Sequence, residues 1–209
     1  MRSLSRLLPG PILLSLSILS ASVLADENTP APLQRLNSPQ PITCYCHAGS
    51  RIPDQEALGG FGDSNNFPRK LTTAHQTLSL PEGRLTLLAL PEKRAPFQKR
   101  YRGFRLLLVN RTGKRVGLKA LDSCLFLFCE AQAPDGQWRA IELMPRTDCG
   151  NSFHRVLLET QEYWEFVVPL YQGSLKTRLR YRLDISPSQP PIYSNIFEGS
   201  IAPGLLKAR

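Results

Sequence analysis

The clearest pattern of hydrophobic and polar positions lies at Leu175–Ile185. Leu175, Thr177, Leu179, Tyr181, Leu183 and Ile185 are apolar or β-branched, while Lys176, Arg178, Arg180, Arg182 and Asp184 are charged. A period of two puts alternate side chains on opposite faces of a pleat, whereas a helix would spread these charges around its circumference. The segment is therefore a strand with one dry face and one basic, solvated face. Shorter runs of strand length recur at Arg84–Leu90, Phe104–Val109, Arg115–Leu121, Gln137–Met144, Phe153–Leu158, Tyr163–Val168 and Ile192–Ile201. Phe104–Val109 is apolar at almost every position and suits an inner strand. Cys124–Cys129, reading Cys-Leu-Phe-Leu-Phe-Cys, has no polar face and is expected to be the central strand, buried on both sides.

Turn chemistry separates these runs. Asn110-Arg111-Thr112-Gly113 and Ala133-Pro134-Asp135-Gly136 carry residues that tolerate or preset the dihedrals of tight reversals. Pro91 and Pro96 lie in a basic linker between the first two strands, and Trp138 is a candidate core anchor. About eight or nine short strands, turn signals roughly every ten residues and no amphipathic helix of useful length predict an all-β fold, an antiparallel β-sandwich. It occupies residues 81–203 and is followed by a tail at 204–209. Residues 26–80 show no sustained period and carry Pro30, Pro32, Pro39, Pro41, Pro53 and Pro68 with a Gly59-Gly60-Phe61-Gly62 cluster, so they read as an irregular Pro/Gly-rich leader.

An apolar strand ending in Asn110-Arg111-Thr112-Gly113, a Pro134-Asp135-Gly136 hairpin returning through Trp138, and the late strands Trp164–Val168, Lys176–Leu183 and Tyr193–Ile201 resemble, in order, the immunoglobulin-like and fibronectin-type-III-like domains of exported bacterial proteins. The likeness is one of pattern, and the disulfide-flanked tryptophan of antibody domains is absent in its usual spacing. Such sandwiches serve adhesion, binding and spacer roles alike, so the resemblance implies a scaffold and leaves its task open.

Met1–Ala25 has the parts of a secretory signal peptide: Arg2 and Arg6 in the basic region, Ile12–Leu24 as the apolar region and Val23-Leu24-Ala25 as the cleavage site. Cleavage would leave an exported chain, periplasmic or extracellular, with no later stretch apolar enough to span a bilayer. Losing Arg2 and Arg6 takes the formal charge from +9 to +7. A moderately basic exported protein meets anionic envelope polysaccharide, lipid head groups or another envelope protein rather than nucleic acid, and aromatic residues do not interleave with its charges as nucleic-acid binding requires.

Five cysteines, Cys44, Cys46, Cys124, Cys129 and Cys149, are disulfide candidates in an oxidising compartment, and an odd number leaves one over. Cys44-Tyr45-Cys46-His47 concentrates soft ligands in four residues and offers a candidate metal set of Cys44, Cys46 and His47 for Zn²⁺ or copper, completed by His75, His154 or Cys149. Against it, Cys-x-Cys is a poor match to structural zinc spacing. Cys149 to His154 brings thiol, hydroxyl and imidazole close in sequence without the local context of a nucleophile motif. Gly62–Asn66 lacks the length and glutamate of an EF-hand loop. The charged face at Lys176, Arg178, Arg180 and Arg182 is the candidate ligand-binding surface, with Glu162, Glu165 and Glu198 as candidate cross-strand partners.

These residues point to a non-enzymatic β-sandwich that binds or stiffens the cell envelope, with no resident cofactor. The competing expectation is a periplasmic metal-handling or thiol-redox protein built on Cys44, Cys46 and His47.

Overall fold

The computed structural model describes residues 33–51, 64–75, 78, 80–143, 152–186 and 188–207, so the expected signal peptide, Gly62, Asp63 and Cys149 lie outside the described residues. Twelve strands are present among these residues: β1 (Arg69–Lys70), β2 (Leu85–Phe97), β3 (Tyr101–Asn110), β4 (Val116–Leu121), β5 (Cys124–Leu125), β6 (Leu127–Gln132), β7 (Trp138–Ala140), β8 (Phe153–Leu158), β9 (Glu162–Pro169), β10 (Leu175–Leu183), β11 (Ile192–Tyr193) and β12 (Phe197–Ile201). Every strand pairing is antiparallel. One sheet has the order β1-β9-β3-β2. A second has β11-β10-β6-β7, with β12 also on β10, and a third has β5-β4-β8.

One buried cluster joins all three sheets into a sandwich. Leu87, Phe104, Leu106 and Trp164 come from the first sheet, Leu127, Leu179, Tyr181 and Leu183 from the second, and Leu118, Leu125, Val156 and Leu158 from the third. The period-two pattern of β10 is realised: Leu179, Tyr181 and Leu183 face this core while the intervening arginines do not. β3 is an inner strand. Leu106 and Leu108 enter the main core, and Leu107 and Val109 form a second cluster on the outer face with Tyr163, Leu80, Leu71 and Leu78.

Four expectations need correction. Cys124–Cys129 is not one strand, because a bend at Phe126 divides it into β5, which pairs β4, and β6, which pairs β10 and β7; an all-apolar run lets the chain pass between sheets while staying buried. The basic linker is not a linker. β2 runs through Pro91 and Pro96 with a register shift between Leu90 and Arg94, which is tolerated because β2 is an edge strand and a proline there forfeits no ladder bond. Trp138 is half-buried on β7, and the core tryptophan is Trp164, whose Nε1–H donates to Gly49 O at 3.0 Å. Ile192–Ile201 is two short strands, both on β10.

The described parts of the leader pack against this sandwich. Leu36, Cys46 and Ala48 belong to the main core, and Leu36 and His47 make isolated backbone bridges to Tyr171 and Cys124. Single apolar residues contacting separate strands have no period, so pattern reading cannot register them. No helix among the described residues is long and apolar enough to cross a membrane.

Candidate functional site

Leu121 and Cys124 close a two-residue hairpin over Asp122 and Ser123, with φ of 45° and 65°. Positive φ at both central residues is what a tight hairpin of this hand requires, and Asp and Ser adopt it at more cost than Gly. The hairpin presents Cys124 at the start of β5. Opposite it, Ala48 N–H donates to Ser123 O at 2.9 Å and Leu125 N–H donates to Cys46 O at 3.0 Å. These two bonds frame His47 and Cys124 as a non-hydrogen-bonded antiparallel pair, the register in which facing side chains lie closest.

Cys44 completes the group from the left-handed region, with φ of 51°. The turn brings its carbonyl to 3.1 Å and its Sγ to 4.0 Å from His47 Nε2. One ligand atom each from Cys44, His47 and Cys124 therefore lies within 4.8 Å of the others. Cys44 is half-buried, His47 exposed and Cys124 buried, so the cluster opens to solvent on the His47 side. Asn66 latches the segment by donating from Nδ2 to both His47 O and Glu165 O at 3.1 Å.

The three groups polarise one another. The Cys124 thiol, the largest influence, and then His47 hold the Cys44 sulfur down at about 5 against the opposing effect of burial. His47 is raised above its ordinary value, chiefly by the Cys44 sulfur. Cys124 is pushed far up by the same contact and by burial. The arrangement favours the thiolate at Cys44, the protonated imidazole at His47 and the protonated thiol at Cys124.

The expected ligand set is only partly assembled. Cys46 alternates away from His47 and enters the core at 1% exposure, and the structure puts Cys124 where sequence spacing had suggested Cys46. No adjacency in sequence connects Cys124 to Cys44, so this substitution was not legible before the fold. His75 is engaged by Thr72 and packs against the Tyr163 ring, and His154 lies on β8 opposite Ala120; neither joins the cluster. Cys44, Cys46, Cys124 and Cys129 are all thiols in this structure.

The basic ladder is largely engaged within the protein. Arg180 pairs with Glu130 at 2.7 Å, and its guanidinium lies 4.2 Å from the Trp138 ring and 3.8 Å from the Tyr193 ring. Arg182 bonds Asp184 at 2.8 Å and approaches Glu130 at 3.5 Å, and Arg178 donates to Gln132 at 2.8 Å. Only Lys176 of the four has no ion pair or hydrogen bond to another described side chain. Glu165 and Glu162, expected as partners, instead meet Arg105 and Lys70, because β10 pairs with β6 and β12 rather than with β9. Glu198 stands opposite Arg178 in register.

Sequence reasoning missed Glu142. Its carboxylate is buried behind the Cys44 segment and accepts from Tyr45 Oη at 2.7 and 2.8 Å, Tyr171 Oη at 2.6 Å and the Cys129 backbone N–H at 2.8 Å. Burial raises it to about 7 while those donors pull the other way. The available signal was a carboxylate flanked by Ile141 and Leu143 in an apolar run.

Fold and site together define an antiparallel β-sandwich bearing a two-thiol, one-imidazole cluster at one edge. Comparison of the chain with protein-family models, with curated proteins and with solved structures gives no match.

Proposed function

We propose that the chain is an exported metal-handling protein of the cell envelope, which holds a thiophilic d¹⁰ ion, Zn²⁺ or Cu(I), between Cys44, His47 and Cys124. The observation that carries this reading is the convergence of two sulfurs and one imidazole nitrogen within 4.8 Å from segments far apart in the chain. Metal–sulfur bonds of about 2.3 Å and metal–nitrogen bonds of about 2.0–2.1 Å place tetrahedral ligand atoms roughly 3.4–3.8 Å apart, so a small contraction suffices. Soft sulfur donors select soft or borderline ions over Mg²⁺ or Ca²⁺. Three protein ligands leave one position open, which suits capture and transfer better than a closed structural site. Binding would displace the Cys124 proton. The competing surface, the β10 ladder, has its Arg180 and Arg182 guanidiniums engaged by Glu130 and Asp184, which favours the thiol cluster.

The test is a titration of reduced, purified protein with Zn²⁺ against a chromophoric chelator, with Co²⁺ as a spectroscopic probe of thiolate ligation. One ion per chain is expected. The site should be lost in Cys44→Ser, His47→Ala and Cys124→Ser and kept in Cys46→Ser. Absence of binding, or undiminished binding in Cys124→Ser, would overturn the assignment.

A further inference from the structure

We propose that Cys44 and Cys124 are also a reversible dithiol–disulfide pair, so that the site alternates between a metal-competent reduced form and a metal-free oxidised form. The release of metal rests on the reading above; the disulfide itself rests on geometry.

Among the four described cysteines, these two are the pair whose sulfurs stand in one solvent-reaching cluster. Cys46 and Cys129 are 1% and 0% exposed in the core, where an external disulfide cannot reach them without local unfolding. Cys44 is half-buried at the mouth, and Cys124 lies behind it. That is the order exchange requires: one sulfur open to attack, one held back to resolve. The Cys124 side is held by the two hydrogen bonds that frame His47 and Cys124 and by the Asp122-Ser123 hairpin, and Cys44 O lies 3.1 Å from His47 Nε2. The two sulfurs stand within 4.8 Å and must close to about 2.05 Å to form the bond. Among the described residues, three of the six non-glycine residues with positive φ, Cys44, Asp122 and Ser123, sit at this one place. Backbone held away from its ordinary wells is typical of sites whose geometry is set by function.

The co-reactant is a small-molecule disulfide, RSSR. The Cys44 sulfur attacks one of its sulfurs, the RS–SR bond breaks, a Cys44–SR mixed disulfide forms and RS⁻ leaves. Cys124 then attacks the Cys44 sulfur; the second RS⁻ leaves and takes up the Cys124 proton, and the Cys44–Cys124 bond closes. Two thiols are oxidised by two electrons and RSSR is reduced to two RSH. A disulfide sulfur carries no thiolate charge, so His47 alone would remain as a ligand, and one imidazole does not hold the ion.

Reduced protein, with and without one equivalent of Zn²⁺, is exposed to oxidised glutathione, quenched with an alkylating reagent and mapped by mass spectrometry. An indicator dye follows free zinc. A peptide linking Cys44 to Cys124 is expected, with release of one zinc per link and full reversal by dithiothreitol. Cys46 and Cys129 should be alkylated only after denaturation. In Cys124→Ala the chain should stop at the Cys44–glutathione adduct. Should that variant fail to fold, Cys44→Ser, altered at a half-buried position, should show neither adduct nor link.

Linkage through Cys149 or Cys46 instead, or an adduct at Cys44 that wild-type protein never resolves, overturns the pair. Zinc binding without a Cys44–Cys124 link leaves the metal reading standing and removes this one. A link in protein that never bound zinc does the reverse. Zinc retained by the oxidised protein refutes the alternation.

Discussion

Glu142 makes a prediction whose sign follows from its surroundings. Its carboxyl is buried and raised to about 7 from an ordinary 4.5. Between those two values the folded state binds more protons than the unfolded state, so stability must fall as pH rises through that window and level off above it. At about 1.4 kcal/mol per pH unit, the full loss is about 3 kcal/mol. Glu142→Gln cannot titrate and should remove this slope. The assay is urea denaturation from pH 4 to 8, followed by the fluorescence of buried Trp164, with wild type and variant measured in parallel.

Cys44 and His47 also titrate, with opposite effects. The depressed Cys44 adds stability that is lost as pH falls toward about 5, and the raised His47 adds stability that is lost as pH climbs past its ordinary 6.5. Both are present in the variant, so the wild-type minus variant difference isolates Glu142. The amide brings a stability cost of its own among three donors, and for that reason the diagnostic is the slope and not the offset. Parallel curves would refute the reasoning. A difference of opposite sign would show that the hydroxyls of Tyr45 and Tyr171 outweigh burial.

Three further outcomes are expected. Arg180→Ala should cost about 3 kcal/mol in denaturant unfolding, because it leaves the buried Glu130 carboxylate with the more distant Arg182 at 3.5 Å; Glu130→Ala in the same chain should recover part of the loss, and additive effects would show that the pair is not coupled. Tyr181→Phe should change stability by no more than about 1 kcal/mol, since the buried hydroxyl makes no hydrogen bond of normal geometry; a large loss would show that the Tyr45 hydroxyl or the Cys129 thiol beside it is a true partner. Gly173→Ala should destabilise by about 2 kcal/mol or more, because an added Cβ would lie 1.9 Å from the Ile201 carbonyl carbon; an unchanged melting temperature would show that the backbone yields there.

The β10 alternation, the inner-strand character of Phe104–Val109 and the Ala133-Pro134-Asp135-Gly136 reversal were legible because strand period and turn chemistry are local properties. All-β class and antiparallel pairing followed from short strands joined by short turns. Pairing partners were not legible. Nothing local states that β10 lies between β6 and β12, and so Glu130 and Asp184, rather than Glu162 and Glu165, receive the arginines.

The site divides in the same way. Cys44, Cys46 and His47 stand out together in the chain because three soft ligands fall within four residues, and nothing local separates Cys46 from the other two. A backbone bridge between His47 and Cys124, residues 77 apart in number, selects the second sulfur and turns Cys46 inward. The same packing encloses Glu142 with Tyr45 and Tyr171. Chain order decides which residue types are available and how each stretch is folded locally. Long-range backbone register decides which of them meet, because a shift of one residue exchanges the buried face of a strand for the exposed one.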